Sequence, residues 1–255
     1  MNSHPLAEKA AQARPGYADR VYGLYAVVAI GVVAIICLIL LLVTPGLQRR
    51  RRLARRCARI AFGVAGIPLT TIGTEQINAR PCVVVANHAS YLDGMILTAA
   101  LPPCFSFVIK REVTSVPFVH LLLRRIGSQF VERFERHRRG VDARRILRAA
   151  ASGEALAFFP EGTFRREPGL GRFHAGAFAA ANRAGLPVVP VVIRGSRELF
   201  PADAWLPRRG RLEVIVRPAI DAEGVASEAV VRLRDESRRA ILELLDEPDL
   251  EQSPA

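Results

Sequence analysis

The sequence predicts an α/β domain on a mixed, largely parallel sheet with helices on both faces, preceded by one transmembrane helix and a basic amphipathic helix. Three observations carry this. From residue 67 onward, short β-branched runs alternate with stretches of helical period, the pattern of strands joined by helical crossovers. Residues 21–43 hold no charge, and at about 1.5 Å per residue they reach roughly 35 Å, enough for a hydrocarbon core of about 30 Å. Directly behind them stand Arg49, Arg50, Arg51, Arg52, Arg55, Arg56 and Arg59.

The 255 residues, half of them hydrophobic with a net charge of +12, exclude a disordered chain and allow one sizeable domain beside a membrane segment. Cys37, Cys57, Cys82 and Cys104 have neither metal-ligand spacing nor a disulfide framework, so they read as small buried apolar residues and no metal is expected. A basic chain can meet nucleic acid, anionic lipid or an acidic substrate. No nucleic-acid motif accompanies the charge and the arginine run abuts the apolar span, which favours lipid.

In chain order, residues 1–20 are polar and expected to be disordered. Residues 21–44 are the anchor. A cleaved signal peptide is the rival, but the run is long, no small-x-small site follows, and arginines do. Against Lys9, Arg14 and Arg20 on the other flank, that arginine block puts the chain after residue 45 on the cytoplasmic side of the inner membrane. Residues 46–66 read as a helix lying on the bilayer, its arginines each worth about 1 kcal/mol at anionic head groups.

The domain spans 67–246. Leu69–Ile72 and Val83–Ala86 are the first strands, followed by a helix at 91–101 that Pro102 and Pro103 stop. A strand at 105–109 leads to Lys110. A helix at 117–126 ends at Gly127, and a short strand at 129–132 ends at Arg133. A helix at 141–151, a strand at 155–159 and a helix at 175–184 follow. Pro190 argues that the strand at 188–193 lies at an edge or carries a bulge. Leu212–Val216 is the last strand, residues 227–245 form a charged amphipathic helix, and the acidic tail 247–255 is expected to be disordered.

Chemistry collects behind Val83–Ala86, in Asn87-His88-Ala89-Ser90-Tyr91-Leu92-Asp93. In one continuous helix a five-residue step turns the side chains about 140° apart. His88 and Asp93 can therefore meet only if His88 stays in the loop and Asp93 points back from the first helical turn. A carboxylate on one imidazole nitrogen would leave the other free as a base. The competing reading makes Ser90 and Asp93 a capping box. The spacing alone is weak, since His137 and Asp142 repeat it amid arginines, where it reads as a solvated helix entry.

His88, Arg133 and Glu161 each follow a strand, and carboxyl ends of parallel strands share one edge. Phe159-Pro160-Glu161-Gly162-Thr163 breaks its strand with proline, and its glycine lets backbone approach closely; turn and cap chemistry would use the same residues. The arginine- and glycine-rich run 165–173, with Arg165 and Arg166, suits an anion or simply a solvated loop.

Asn87-His88-x-Ser90-x-x-Asp93 followed by Phe159-Pro160-Glu161-Gly162-Thr163 resembles the glycerolipid acyltransferases, the family of bacterial 1-acyl-sn-glycerol-3-phosphate acyltransferase. Gly127-Ser128-Gln129-Phe130-Val131-Glu132-Arg133, with Glu132 where aspartate is usual, resembles a further block of the family. So do Val188-Val189-Pro190-Val191 and Lys110-Arg111-Glu112. The resemblance, over about residues 67–222, implies that family's fold and acyl transfer from an acyl-CoA or acyl carrier protein thioester to the hydroxyl of a lysophosphatidic-acid-type acceptor, without a cofactor. It implies His88 and Asp93 as catalytic, and Lys110, Arg133, Glu161, Gly162, Thr163, Arg165 and Arg166 as substrate-binding. His174 stands where the family often has lysine, which keeps other acceptors open: a lyso-ornithine lipid, dihydroxyacetone phosphate or a lysophospholipid. A non-catalytic protein docked on membrane lipid is a further alternative.

Overall fold

A computed structural model describes residues 16–77, 81–131, 136–224 and 227–251. Two helices lead: α1 (Tyr17–Val43) and α2 (Leu47–Val64). The domain follows as β1 (Leu69–Ile72), β2 (Val83–Ala86), α3 (Asp93–Ala100), β3 (Ser106–Lys110), α4 (Pro117–Arg125), β4 (Gln129–Val131), α5 (Arg136–Ala151), β5 (Leu156–Phe158) and α6 (Gly176–Ala184). It closes with β6 (Val188–Arg194), the single turn α7 (Ser196–Leu199), β7 (Leu212–Val216) and α8 (Ser227–Leu242).

The seven strands form one sheet in the order β1-β7-β6-β2-β5-β3-β4. The five strands from β6 to β4 run parallel, while β7 is antiparallel to β6 and pairs in parallel with β1. The mixed, largely parallel sheet is thus the one expected. Successive side chains of a strand face opposite sides. Val84, Ala86, Val189, Val191 and Ile193 accordingly join the core beneath α1, α2 and α3, and Val83, Val85, Val188 and Val192 the core beneath α5, α6 and α8.

Pro190 is not on an edge strand, because β6 lies between β2 and β7. Its carbonyl accepts the Arg217 N–H on the β7 side, one position beyond the last β7 pair, Val191 with Val216. The N–H that proline lacks would fall on that same side, where the antiparallel ladder has already ended. The chain bulges there: Val188 exchanges hydrogen bonds with Ile220, so three steps from Arg217 oppose two from Val188 to Pro190.

α1 is long and apolar enough to cross a bilayer, and it is packed against the domain over much of its length. It packs side by side with α2 along its length. Tyr22 and Ala26 enter the domain core, and Cys37 and Leu41 pack with Ala54 and Cys57 of α2. The Tyr22 hydroxyl donates to the Ala65 carbonyl, and the Arg125 guanidinium donates to the Leu41 carbonyl near the other end. Its outward side exposes Val21, Leu24, Val28, Val32, Ile35, Ile39 and Val43.

The arginines of α2 do not all face outward. Arg51 is only 9% exposed and binds the Ile126 and Cys104 carbonyls, Ser106 and Glu154. Arg55 donates to the Ala99 and Ala100 carbonyls at the end of α3, and Arg50 to the Thr44 carbonyl. Arg49, Arg52, Arg56 and Arg59 stay exposed, and their spacing of three, four and three residues makes one stripe of the helix.

Two further expectations change. Asp142 is buried against Arg145 at 3.0 Å and Arg111 at 3.8 Å, so the carboxylate of the second His-x4-Asp match is an ion-pair partner and not a solvated helix-entry residue. Residues 247–251 are docked, not disordered. Glu247 pairs with Arg197 at 2.7 Å, and Asp249 with Arg238 at 2.6 Å. Of the disorder expected at 1–20, residues 17–20 are instead the first turn of α1, and residues 1–15, like 252–255, fall outside the described residues.

Candidate active site

Strand register brings the two motifs together. Val83 of β2 is level with Leu156 of β5, so His88 and Glu161, each five residues further on, emerge side by side at the same carboxyl edge. Ser106 of β3 is level with Leu156 as well, which puts Lys110 level with Asn87, two strands or roughly 10 Å across the sheet. On the other side Asn87 locks β2 to β6: its side-chain N–H donates to the Ile193 carbonyl at 2.9 Å and its oxygen accepts the Ile193 N–H at 2.7 Å.

His88 remains in the loop and Asp93 is the first residue of α3, the only arrangement that lets them meet. Asp93 Oδ2 lies 2.8 Å from His88 Nδ1 and also accepts the Ala89 and Ser90 N–H groups at 2.7 and 2.8 Å. The capping and histidine-orienting readings of this carboxylate are therefore both realised, on one oxygen. Asp93 is fully buried. With Nδ1 engaged, the imidazole has Nε2 left for a proton. Ser90 turns its hydroxyl away, donating to the Phe200 carbonyl at 2.9 Å.

Both carboxylate oxygens of Glu161 are engaged by backbone. One oxygen accepts the His88 N–H at 2.7 Å and the other the Gly171 N–H at 2.8 Å, so it clamps two loops by their backbones. Burial raises its carboxyl above the ordinary value, against the two amide hydrogen bonds and the His88 and Arg197 charges, which lower it. Gly171 admits this contact: a Cβ there would lie 2.9 Å from Glu161 Oε2. Gly162 takes the turn at φ +78° and donates its N–H to the Phe159 carbonyl.

Lys110 is half-buried at the strand edge; Thr163 and Arg165 are exposed. Arg166 is held by Asp203 at 2.8 Å. Arg133 lies outside the described residues.

Sequence reasoning missed an aromatic frame. Phe159 stacks on the His88 ring at 4.2 Å between centroids, Phe164 meets it edge-on at 4.8 Å, and Tyr91 packs on Phe164 at 4.6 Å. The signal was present, since these residues flank both motifs. Arg197 was missed too: its guanidinium grips Glu247 and donates to the Arg165 carbonyl, and Glu247 accepts the Gly169 N–H, so the docked tail holds the cationic loop. That partnership crosses some fifty residues and has no local signal.

Residues 69–194 match the protein family described as Acyltransferase. The 1-acyl-sn-glycerol-3-phosphate acyltransferase of Pseudomonas aeruginosa is 30% identical over 185 residues, 72% of this chain and 71% of that protein. The one from Saccharomyces cerevisiae is 26% identical over 186 residues, 71% of this chain and 61% of that protein. A lyso-ornithine lipid O-acyltransferase of Pseudomonas aeruginosa is 34% identical over 167 residues, 65% of this chain and 60% of that protein. The crystal structure of the 1-acyl-sn-glycerophosphate acyltransferase of Thermotoga maritima superposes with a TM-score of 0.72 at 21% identity, covering 93% of this chain and 99% of that one. The chain belongs to the acyltransferase family, as an enzyme of the kind that includes the 1-acyl-sn-glycerol-3-phosphate acyltransferases.

Proposed function

We propose that the protein transfers a fatty acyl chain from an acyl thioester of coenzyme A or acyl carrier protein to the free sn-2 hydroxyl of 1-acylglycerol-3-phosphate, forming phosphatidic acid. The observation that carries this is the His88–Asp93 pair at 2.8 Å with the backbone of His88 held by Glu161. An alcohol is a poor nucleophile at neutral pH, so a base must take its proton as the carbon–oxygen bond forms. His88 Nε2 takes that proton while the hydroxyl oxygen attacks the thioester carbonyl. Asp93 stabilises the imidazolium. When the tetrahedral intermediate collapses, the carbon–sulfur bond breaks and the proton passes to the departing thiolate. No acyl-enzyme is part of this reading: the sequence has no Gly-x-Ser-x-Gly elbow, and the Ser90 hydroxyl donates to the Phe200 carbonyl.

The intermediate's oxyanion needs donors. The amides of Ala89, Ser90, His88 and Gly162 are all engaged, which favours Lys110. Arg133 and Arg165 or Arg166 are the cations proposed for the acceptor's head group; the Arg166–Asp203 pair is exposed and open to exchange. Glu161, Gly162 and Thr163 shape the pocket through the turn they form.

The exposed apolar side of α1 and the stripe Arg49, Arg52, Arg56 and Arg59 are proposed to rest on the cytoplasmic leaflet of the inner membrane. Side-on immersion of α1 fits better than crossing. Because α2 lies along it, crossing would draw α2's arginines into hydrocarbon at about 3 kcal/mol or more each.

A lyso-ornithine lipid is the second reading of the acceptor, favoured by His174 in place of lysine and by the 34% identity to an enzyme of that name. The test is an acyl-transfer assay on the full-length protein in membranes, with both acceptors and both thioester donors. Phosphatidic acid is the expected product; acylation of lyso-ornithine lipid alone would replace the first reading by the second.

A further inference from the structure

The connection from Phe200 to Arg211 has no part in the chemistry above, yet it joins the candidate site to α1. At its start, the Phe200 carbonyl accepts the Ser90 hydroxyl at 2.9 Å, and Asp203 holds Arg166 at 2.8 Å. Further on it rests on α1 near its beginning. Leu206 and Pro207 press so closely on Gly23 that a Cβ there would lie 2.7 Å from Leu206 Cβ, and the Arg209 guanidinium sits 4.5 Å above the centre of the Tyr22 ring. Between these two attachments stands Trp205. It is the sole tryptophan of the chain and is 93% exposed.

A fully exposed indole leaves a large apolar surface in water, whereas at the boundary of head groups and acyl chains its ring is buried and its N–H still solvated. The surroundings match that environment. Arg208, Arg209 and Arg211 are exposed beside it, suited to lipid phosphates, and Tyr17 and Tyr25 are exposed along the first turns of α1.

We infer that this loop is a second foothold on an anionic phospholipid bilayer, with Trp205 inserted at the interface and Arg208 and Arg211 on phosphates. Through Phe200 and Asp203 the same loop ties that foothold to Ser90 and Arg166, so it seats the mouth of the His88 pocket at the lipid surface where a lysolipid acceptor resides. The inference rests on the proposed contact of α1 with the membrane and goes beyond it by adding a separate site with its own reporter.

The experiment uses the full chain and phosphatidylethanolamine–phosphatidylglycerol vesicles, with Trp205 as the intrinsic fluorophore. On vesicle binding its emission should move to shorter wavelength and be quenched by brominated acyl chains. If the protein floats with the vesicles while Trp205 keeps a water-like, unquenched emission, the foothold is refuted and docking through α1 stands. If the protein does not float at all, both fail. A shift that follows protein concentration without vesicles would assign the surface to a second copy and overturn the inference. Trp205→Ala should raise the KM for vesicle-embedded acceptor about tenfold, the effect of roughly 1.4 kcal/mol of lost anchoring, and leave turnover of detergent-dispersed acceptor unchanged. Equal kinetics on both forms would count against it.

Discussion

The Glu161 carboxylate reaches His88 through the main chain, accepting its backbone N–H at 2.7 Å, and never touches the imidazole by hydrogen bond. The residue at the centre of the second motif therefore acts on the first by fixing where its loop leaves β2. Its other oxygen fixes Gly171 in the loop beyond.

Glu161→Gln retains the shape but turns an amide N–H toward one of two backbone donors, leaving that donor unsatisfied. The expected loss is about 1–3 kcal/mol of stability, read from denaturant unfolding, with a fall in kcat.

The same residue predicts a pH signature. Burial raises the folded Glu161 carboxyl above its ordinary value. Between the ordinary carboxylate pKa and that raised value, the folded protein holds more protons than the unfolded chain, so Glu161's contribution to stability declines as pH rises through the window. Melting temperatures of the wild type and Glu161→Gln across acidic to neutral pH check this; an unchanged slope in the variant would remove Glu161 from the account.

His88→Ala should lower kcat on the order of 10² to 10⁴ while the circular dichroism spectrum and unfolding midpoint remain near wild type. Asp93→Asn should fall in the same range, since an amide still accepts from Ala89 or Ser90 but cannot balance an imidazolium. A folded His88→Ala enzyme with near-native turnover would falsify the base assignment.

Arg51 and the outward arginines of α2 should separate experimentally. Arg51→Met leaves Glu154 without its guanidinium and breaks four contacts from α2 to Ile126, Cys104, Ser106 and Glu154, so a loss of about 3–5 kcal/mol is expected with vesicle affinity unchanged. Replacing Arg52 and Arg56 by alanine should do the reverse. Stability should change little, while partitioning onto anionic vesicles should drop about fivefold per arginine, the equivalent of roughly 1 kcal/mol each. Vesicle co-sedimentation and thermal unfolding measured on the same samples distinguish the two.

Most of the sheet was legible because its strands are short apolar runs, several of them β-branched, between turn residues. β1, β2 and β7 begin and end at the expected residues. Pro190 allowed either an edge strand or a bulge, and only the fold shows that it is the bulge, between two strands. Of the candidate site, the meeting of His88 and Asp93 was legible because five residues of chain allow a single geometry. The fate of the cations was not. Arg165 and Arg166 follow the second motif directly, yet Arg166 pairs with Asp203, and Arg197, far from both motifs in sequence, pairs with the tail.

What the residues alone determined are the elements and the positions of His88 and Glu161, each five steps past the start of a paired strand. Local sterics and a repeating backbone ladder set those distances without reference to the rest of the molecule. The tertiary structure decided which faces matter: that Arg51 turns inward and Arg52 outward, that α1 lies along α2, and that Trp205 stands beside it. Seven chemically equivalent guanidiniums differ only in what surrounds them, and those surroundings come from residues distant in the chain.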